Sequence, residues 1–165
     1  MKTKRITASA VLAAAALIIF AVEAQLPPLV PIPGIKLGLA NVITVFALYY
    51  LGAPAAAAIL AVRIVLGSVL LGQVGAMLYS AAGGLLAFAV SALLKRAFPP
   101  ERLWVVSVFG AMAHNVGQMA AAVAVTATPA LLWYLPALLI SGIVTGAFTG
   151  LCAQFVYRRI GLKKM

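Results

Sequence analysis

Acidic side chains are almost missing from this sequence: aspartate is absent, and Glu23 and Glu101 are the only carboxylic side chains among 165 residues. Chemistry that gathers Mg²⁺ on clustered carboxylates has nothing to build on here. Cysteine occurs once, as Cys152 inside an apolar run, which excludes an intrachain disulfide and a cysteine-based metal site. There is no Gly-rich phosphate loop with its Lys-Ser/Thr, and no Ser/His/Asp arrangement with an acid near a nucleophile. The sequence therefore points to a protein that binds or carries a small molecule, not to an enzyme, and it calls for no cofactor and no metal.

Charge of either sign is scarce as well. Only 8% of the residues are charged and 65% are hydrophobic, with a mean hydropathy of +1.17. A soluble domain carries roughly 25% charged residues, so a water-facing surface cannot be assembled from what remains. The lipid bilayer must be the solvent for most of the surface. What charge there is comes from twelve basic residues, for a net charge of +10. A nucleic-acid partner needs a basic face or stripe. Here the basic residues sit in short clusters between long apolar runs, which is how membrane helices are anchored on their cytoplasmic side.

A helix needs about 20 mostly apolar residues to cross a bilayer. Six such segments are expected in one transmembrane domain covering residues 1–165: 6–25, 37–51, 54–71, 76–94, 103–126 and 131–157. The third begins at Pro54, where proline suits a first helical turn. Six spans put both termini on one side. Lys2, Lys4 and Arg5, then Lys95, Arg96 and Arg102, then Arg158, Arg159, Lys163 and Lys164 all fall on that side, against Lys36 alone on the other. The fold class expected is an all-α integral membrane bundle with both termini in the cytoplasm. Trp133 and Tyr134 fit the outer interface, Trp104 and Tyr157 the inner one. Val22-Glu23-Ala24 after a basic start and an apolar run also has the form of a cleavable signal peptide. The remaining charges do not decide between the two forms.

Helices in lipid associate through close contact of small residues. Gly142, Gly146 and Gly150 recur every four residues in the sixth span, Gly84 shares a face with Ser80, Ala87 and Ser91 in the fourth, and Ala10 and Ala14 stand four apart in the first. Packing inside the bundle is the first reading of each stripe. Docking onto another membrane protein is the second, with the first span the best surface for it.

Ionisable groups inside the hydrocarbon are costly and face a cavity or one another. Here they are Glu23, Arg63 and His114, with Lys36 at the membrane edge. His114 and Gln118 share a helix face, as do Asn115 and Gln118, and Asn41 and Thr44 lie together on the second span. Arg63 can pair with Glu23, bond to carbonyls or hold a ligand. His114 can be a satisfied buried histidine or serve binding or proton coupling. The candidate substrate-binding residues are Lys36, Asn41, Arg63, His114, Asn115 and Gln118. The stretch from Pro27 to Lys36 carries four prolines and is too apolar for an ordinary solvated connection. It fits a lid over a central pocket, or a linker lying on lipid.

Pro33-Gly34-Ile35-Lys36-Leu37-Gly38-Leu39-Ala40-Asn41, Arg63, Ser80-Ala81-Ala82-Gly83-Gly84 and His114-Asn115-Val116-Gly117-Gln118 together resemble the Gx transporter family. Its members often carry the name heptaprenyl diphosphate synthase component I, and the resemblance covers nearly the whole chain. The family is grouped with the S components of energy-coupling factor transporters. The resemblance implies a six-helix S-component-like bundle in a bacterial cell membrane that captures a small metabolite from outside. Its partners would be a transmembrane coupling subunit, two cytoplasmic ATPases and membrane lipid. Arg63 and Lys36 suit an anionic group on the metabolite. Two other readings stay open: a non-catalytic accessory protein of isoprenoid or quinone biosynthesis, and a standalone ion-coupled carrier. A prenyl diphosphate synthase itself depends on aspartate-rich motifs, and this chain has no aspartate.

Overall fold

A computed structural model describes residues 2–26 and 36–161. Among these residues the regular structure is all helical. The six α-helices are α1 (Lys2–Glu23), α2 (Asn41–Tyr50), α3 (Ala53–Leu70), α4 (Met77–Leu94), α5 (Leu103–Thr126) and α6 (Leu135–Gly161), with 3-10 turns before α4, α5 and α6. Five of them are long and apolar enough to cross a membrane. They turn bulky apolar side chains outward, Phe148, Leu70 and Ile18 among them, as a bundle solvated by lipid must.

The second helix corrects the expected span over residues 37–51. It has 10 residues, about 15 Å at 1.5 Å per residue, or half the hydrocarbon thickness. Gly38 sits at φ +76, a left-handed conformation that ends helical continuation. Residues 36–40 are accordingly not helical. Apolar composition alone could not reveal this, because that segment is as apolar as the helix it precedes.

α5 is central, with α4 and α6 packed along its two sides. Glycines make that closeness possible. A Cβ on Gly117 would stand 2.7 Å from the Ala82 carbonyl oxygen, and one on Gly83 2.7 Å from that of His114. Along the other seam, Gly142 backs onto Asn115, Gly146 onto Val108 and Gly150 onto Trp104 and Ser107. Gly84 faces α3, where it meets Leu60 and Arg63. α1 packs on α3 and α2. Its contribution to the core is Ala16 and Phe20, whereas Ala10 and Ala14 point outward. These two alanines are therefore not packing residues of this bundle, a correction that follows from the helix being rotated to bury its Ala16–Phe20–Glu23 face.

One end of the bundle gathers basic residues. Arg5 reaches Leu51, Lys95 reaches Leu48, and Tyr157 meets Tyr49 and Phe46 edge to face. Lys163 and Lys164 lie outside the described residues. Gly146→Leu should force α5 and α6 apart, since its new Cβ would stand 2.8 Å from the Val108 Cα. A loss of about 1–3 kcal/mol is expected, read as a lower unfolding temperature in detergent, with Gly52→Ala, a site open on all sides, kept apart from it because of its positive φ.

Candidate functional site

The polar residues meet halfway along the long helices. Arg63 lies mid-way along α3 and His114 mid-way along α5. α2 begins at the same depth, because Gly38, three residues before Asn41, lies against both the His114 ring and the Asn41 amide. The chain thus comes down to mid-bundle as non-helical backbone before α2 starts. Such backbone is tolerated inside a membrane only where protein or a cavity satisfies it.

Two side chains do this. Gln118 accepts a hydrogen bond from the Lys36 N–H at 2.9 Å and donates one to the Lys36 carbonyl at 2.9 Å. Glu23, buried at the end of α1, accepts from the Gly38 N–H. A carboxylate against the turn that opens α2 is favoured by the helix dipole. Glu23 is therefore committed to the backbone and leaves Arg63 less than fully paired. Arg63 is 2% exposed, its guanidinium lies over Gly84, and its Nε and Nη2 have no hydrogen-bond partner among the described residues. The Lys36 ammonium rests 3.6 Å from the centroid of the Phe20 ring, a cation–π contact.

The expected site residues separate into three groups. Lys36, Asn41, Arg63 and His114 converge, around Gly38, Gly83 and Gly84. Gln118 borders the same space, but its amide is engaged by the Lys36 backbone. Asn115 faces away from the cluster toward α6, where it donates to the Leu138 carbonyl at 2.6 Å. Phe20 and Glu23 complete the cluster from α1, so the segment with the form of a signal peptide is a wall of the bundle. Phe20 carries no polar signal in the sequence; only its contact with Gly67 and Lys36 reveals its part. The Pro27–Ile35 portion of the expected lid lies outside the described residues.

Both polar atoms of Asn41 and the Thr44 hydroxyl are buried without a hydrogen-bond partner among the described residues, like the two Arg63 nitrogens. Buried polar atoms are nearly always satisfied, so this concentration marks a place for a polar guest or ordered water. The charges comprise two cations, Arg63 and Lys36, and one acid, Glu23. Among the described residues no three His, Cys, Asp or Glu side chains converge. A separate cavity of about 330 Å³ lies between α1, α2 and α6, and its lining, including Leu12, Ile19, Val42, Phe46, Phe148 and Val156, is apolar.

Residues 12–156 match the family model for heptaprenyl diphosphate synthase component I. The chain belongs to that family. No curated protein and no solved structure matches it. The matched region takes in the whole polar cluster, from Phe20 and Glu23 to Gln118. Gln118→Leu removes both bonds that hold Lys36 at depth. The expected result is a loss of about 1–2 kcal/mol and faster hydrogen exchange at Lys36 and Gly38, with the α5–α6 seam unaffected, measured by hydrogen exchange on the protein in nanodiscs.

Proposed function

We propose that this protein is the membrane-embedded substrate-binding subunit of an uptake transporter of the energy-coupling factor kind, and that its substrate is a small metabolite with an anionic group. The observation that carries this reading is the set of buried polar atoms without partners on Asn41 and Arg63, gathered at mid-bundle. Leaving them bare in a low-dielectric interior is expensive. A guest that accepts from Arg63 and Asn41 would relieve that cost, and an anion would offset the excess of Arg63 and Lys36 over Glu23.

In this reading both termini are cytoplasmic, with Arg5 and Lys95 at the inner face by the positive-inside rule, and the protein sits as a multi-pass protein in the cell membrane. Substrate comes from the opposite side, where Lys36 leads into the cluster. The role is non-enzymatic. Energy comes from a transmembrane coupling subunit and cytoplasmic ATPases, and the outward face of α1 with Ala10 and Ala14 is free to meet such a partner.

The family's name favours a second reading, an accessory membrane protein that accompanies a prenyl diphosphate synthase. With no aspartate, the chain would lend such an enzyme a membrane site and not a catalytic one.

Native mass spectrometry of the protein gently extracted from its own membranes separates the two. The binding reading expects a copurifying small molecule whose occupancy falls at least tenfold in Arg63→Gln and in Asn41→Ala, in line with the loss of a charge-assisted hydrogen bond. Equal occupancy in both variants would sink it. An empty protein bound to a prenyl synthase would select the accessory role.

A further inference from the structure

α2 is set apart from the other helices by how it is held. Gly38 at φ +76 precedes it and Gly52 at φ +95 follows it, so a backbone position that favours glycine bounds it at each end. Its start is fixed by the Glu23 carboxylate on the Gly38 N–H, and it carries Asn41 into the polar cluster. Its finish is fixed by two cations. Arg5 donates through Nη2 to the Leu51 carbonyl at 2.6 Å, and Lys95 donates through Nζ to the Leu48 carbonyl at 2.7 Å. The Lys95 ammonium also lies 5.6 Å from the Tyr49 ring centroid, and the Tyr49 hydroxyl donates to the Phe98 carbonyl at 2.8 Å.

Residues 48 and 51 belong to the last turn of α2, where carbonyls find no partner within the helix and where a cation meets the negative end of the dipole. Membrane-anchoring lysines and arginines ordinarily extend their charged ends toward water. These two instead bond the backbone at the end of one short helix, from two different elements, the start of α1 and the turn after α4.

We infer that α2 is a strut, and that Arg5 and Lys95 are positioning residues which help set where Asn41 stands in the cluster about 15 Å away. For ligand binding this rests on the cluster being the substrate site; for the mechanics of α2 it does not. α2 also buries Asn41, Thr44, Val45, Phe46, Ala47 and Leu48 against its neighbours, and the grips at its two ends add to that packing in setting its depth and tilt. Arg5 and Lys95 thereby tie the loop between α4 and α5 and the start of α1 to the ligand cluster, through a single rigid element.

The test is residue-resolved hydrogen exchange on the full chain in nanodiscs, comparing the unaltered protein with Arg5→Gln/Lys95→Gln and with Lys95→Arg. Loosening the grip at residues 48–51 should raise exchange at the far end, Lys36 to Ile43, about tenfold, while α5 keeps its protection and Lys95→Arg behaves as the unaltered protein. Faster exchange confined to residues 48–52 would overturn the inference and leave Arg5 and Lys95 as simple helix caps. So would a loss of protection throughout α5, which would make them general supports of the fold. An empty protein in mass spectrometry with this end-to-end coupling intact would remove the ligand reading and leave the strut standing.

Discussion

A backbone amide or carbonyl left bare in hydrocarbon costs several kcal/mol, and this chain brings a stretch of non-helical backbone, Lys36 to Ala40, down to the depth of His114. Most of the polar architecture follows from that demand. Gln118 answers the peptide groups of Lys36, and Glu23 answers Gly38. The one buried acid is thereby withdrawn from Arg63, whose guanidinium keeps two nitrogens unmatched. Satisfying the descending loop and leaving two Arg63 nitrogens unmatched beside it are thus two results of one arrangement.

The glycines belong to the same economy of space. Gly38 lets the loop touch the His114 ring, Gly83 lets α4 lie against His114 and Gln118, and Gly84 makes room for Arg63. A methyl group at any of these places would push apart the elements that deliver the polar side chains. The small residues of α6 serve a different seam, where their contacts with Ser107, Val108 and Asn115 clamp α6 to α5 and hold the central helix in register.

How much of this was legible in the sequence depends on range. Long apolar runs and the basic clusters between them announce membrane helices without any tertiary information, because crossing a bilayer is decided by local composition. The glycine repeat of α6 and the polar spacing of α5 are likewise local and readable. The start of α2 is not legible, because Leu37, Leu39 and Ala40 are apolar whether they lie in a helix or in a loop wrapped by protein. Spacing groups Asn115 with Gln118, yet consecutive helical residues diverge by about 100°, and Asn115 turns to α6 while His114 turns to α4 and Gly38.

The sequence by itself determined that the chain lives in a membrane, that it lacks the carboxylates for metal-dependent diphosphate chemistry, and which few polar residues must be accounted for inside the lipid. Those are matters of composition and near-neighbour spacing, fixed before the chain folds. Only the tertiary structure decided which of those residues meet. Glu23 bonds to a backbone fifteen residues away, Gln118 to one eighty-two away, and Arg5 to the end of α2. Each such partner is chosen by where helix packing places an unpaired backbone group, and that is a property of the whole bundle.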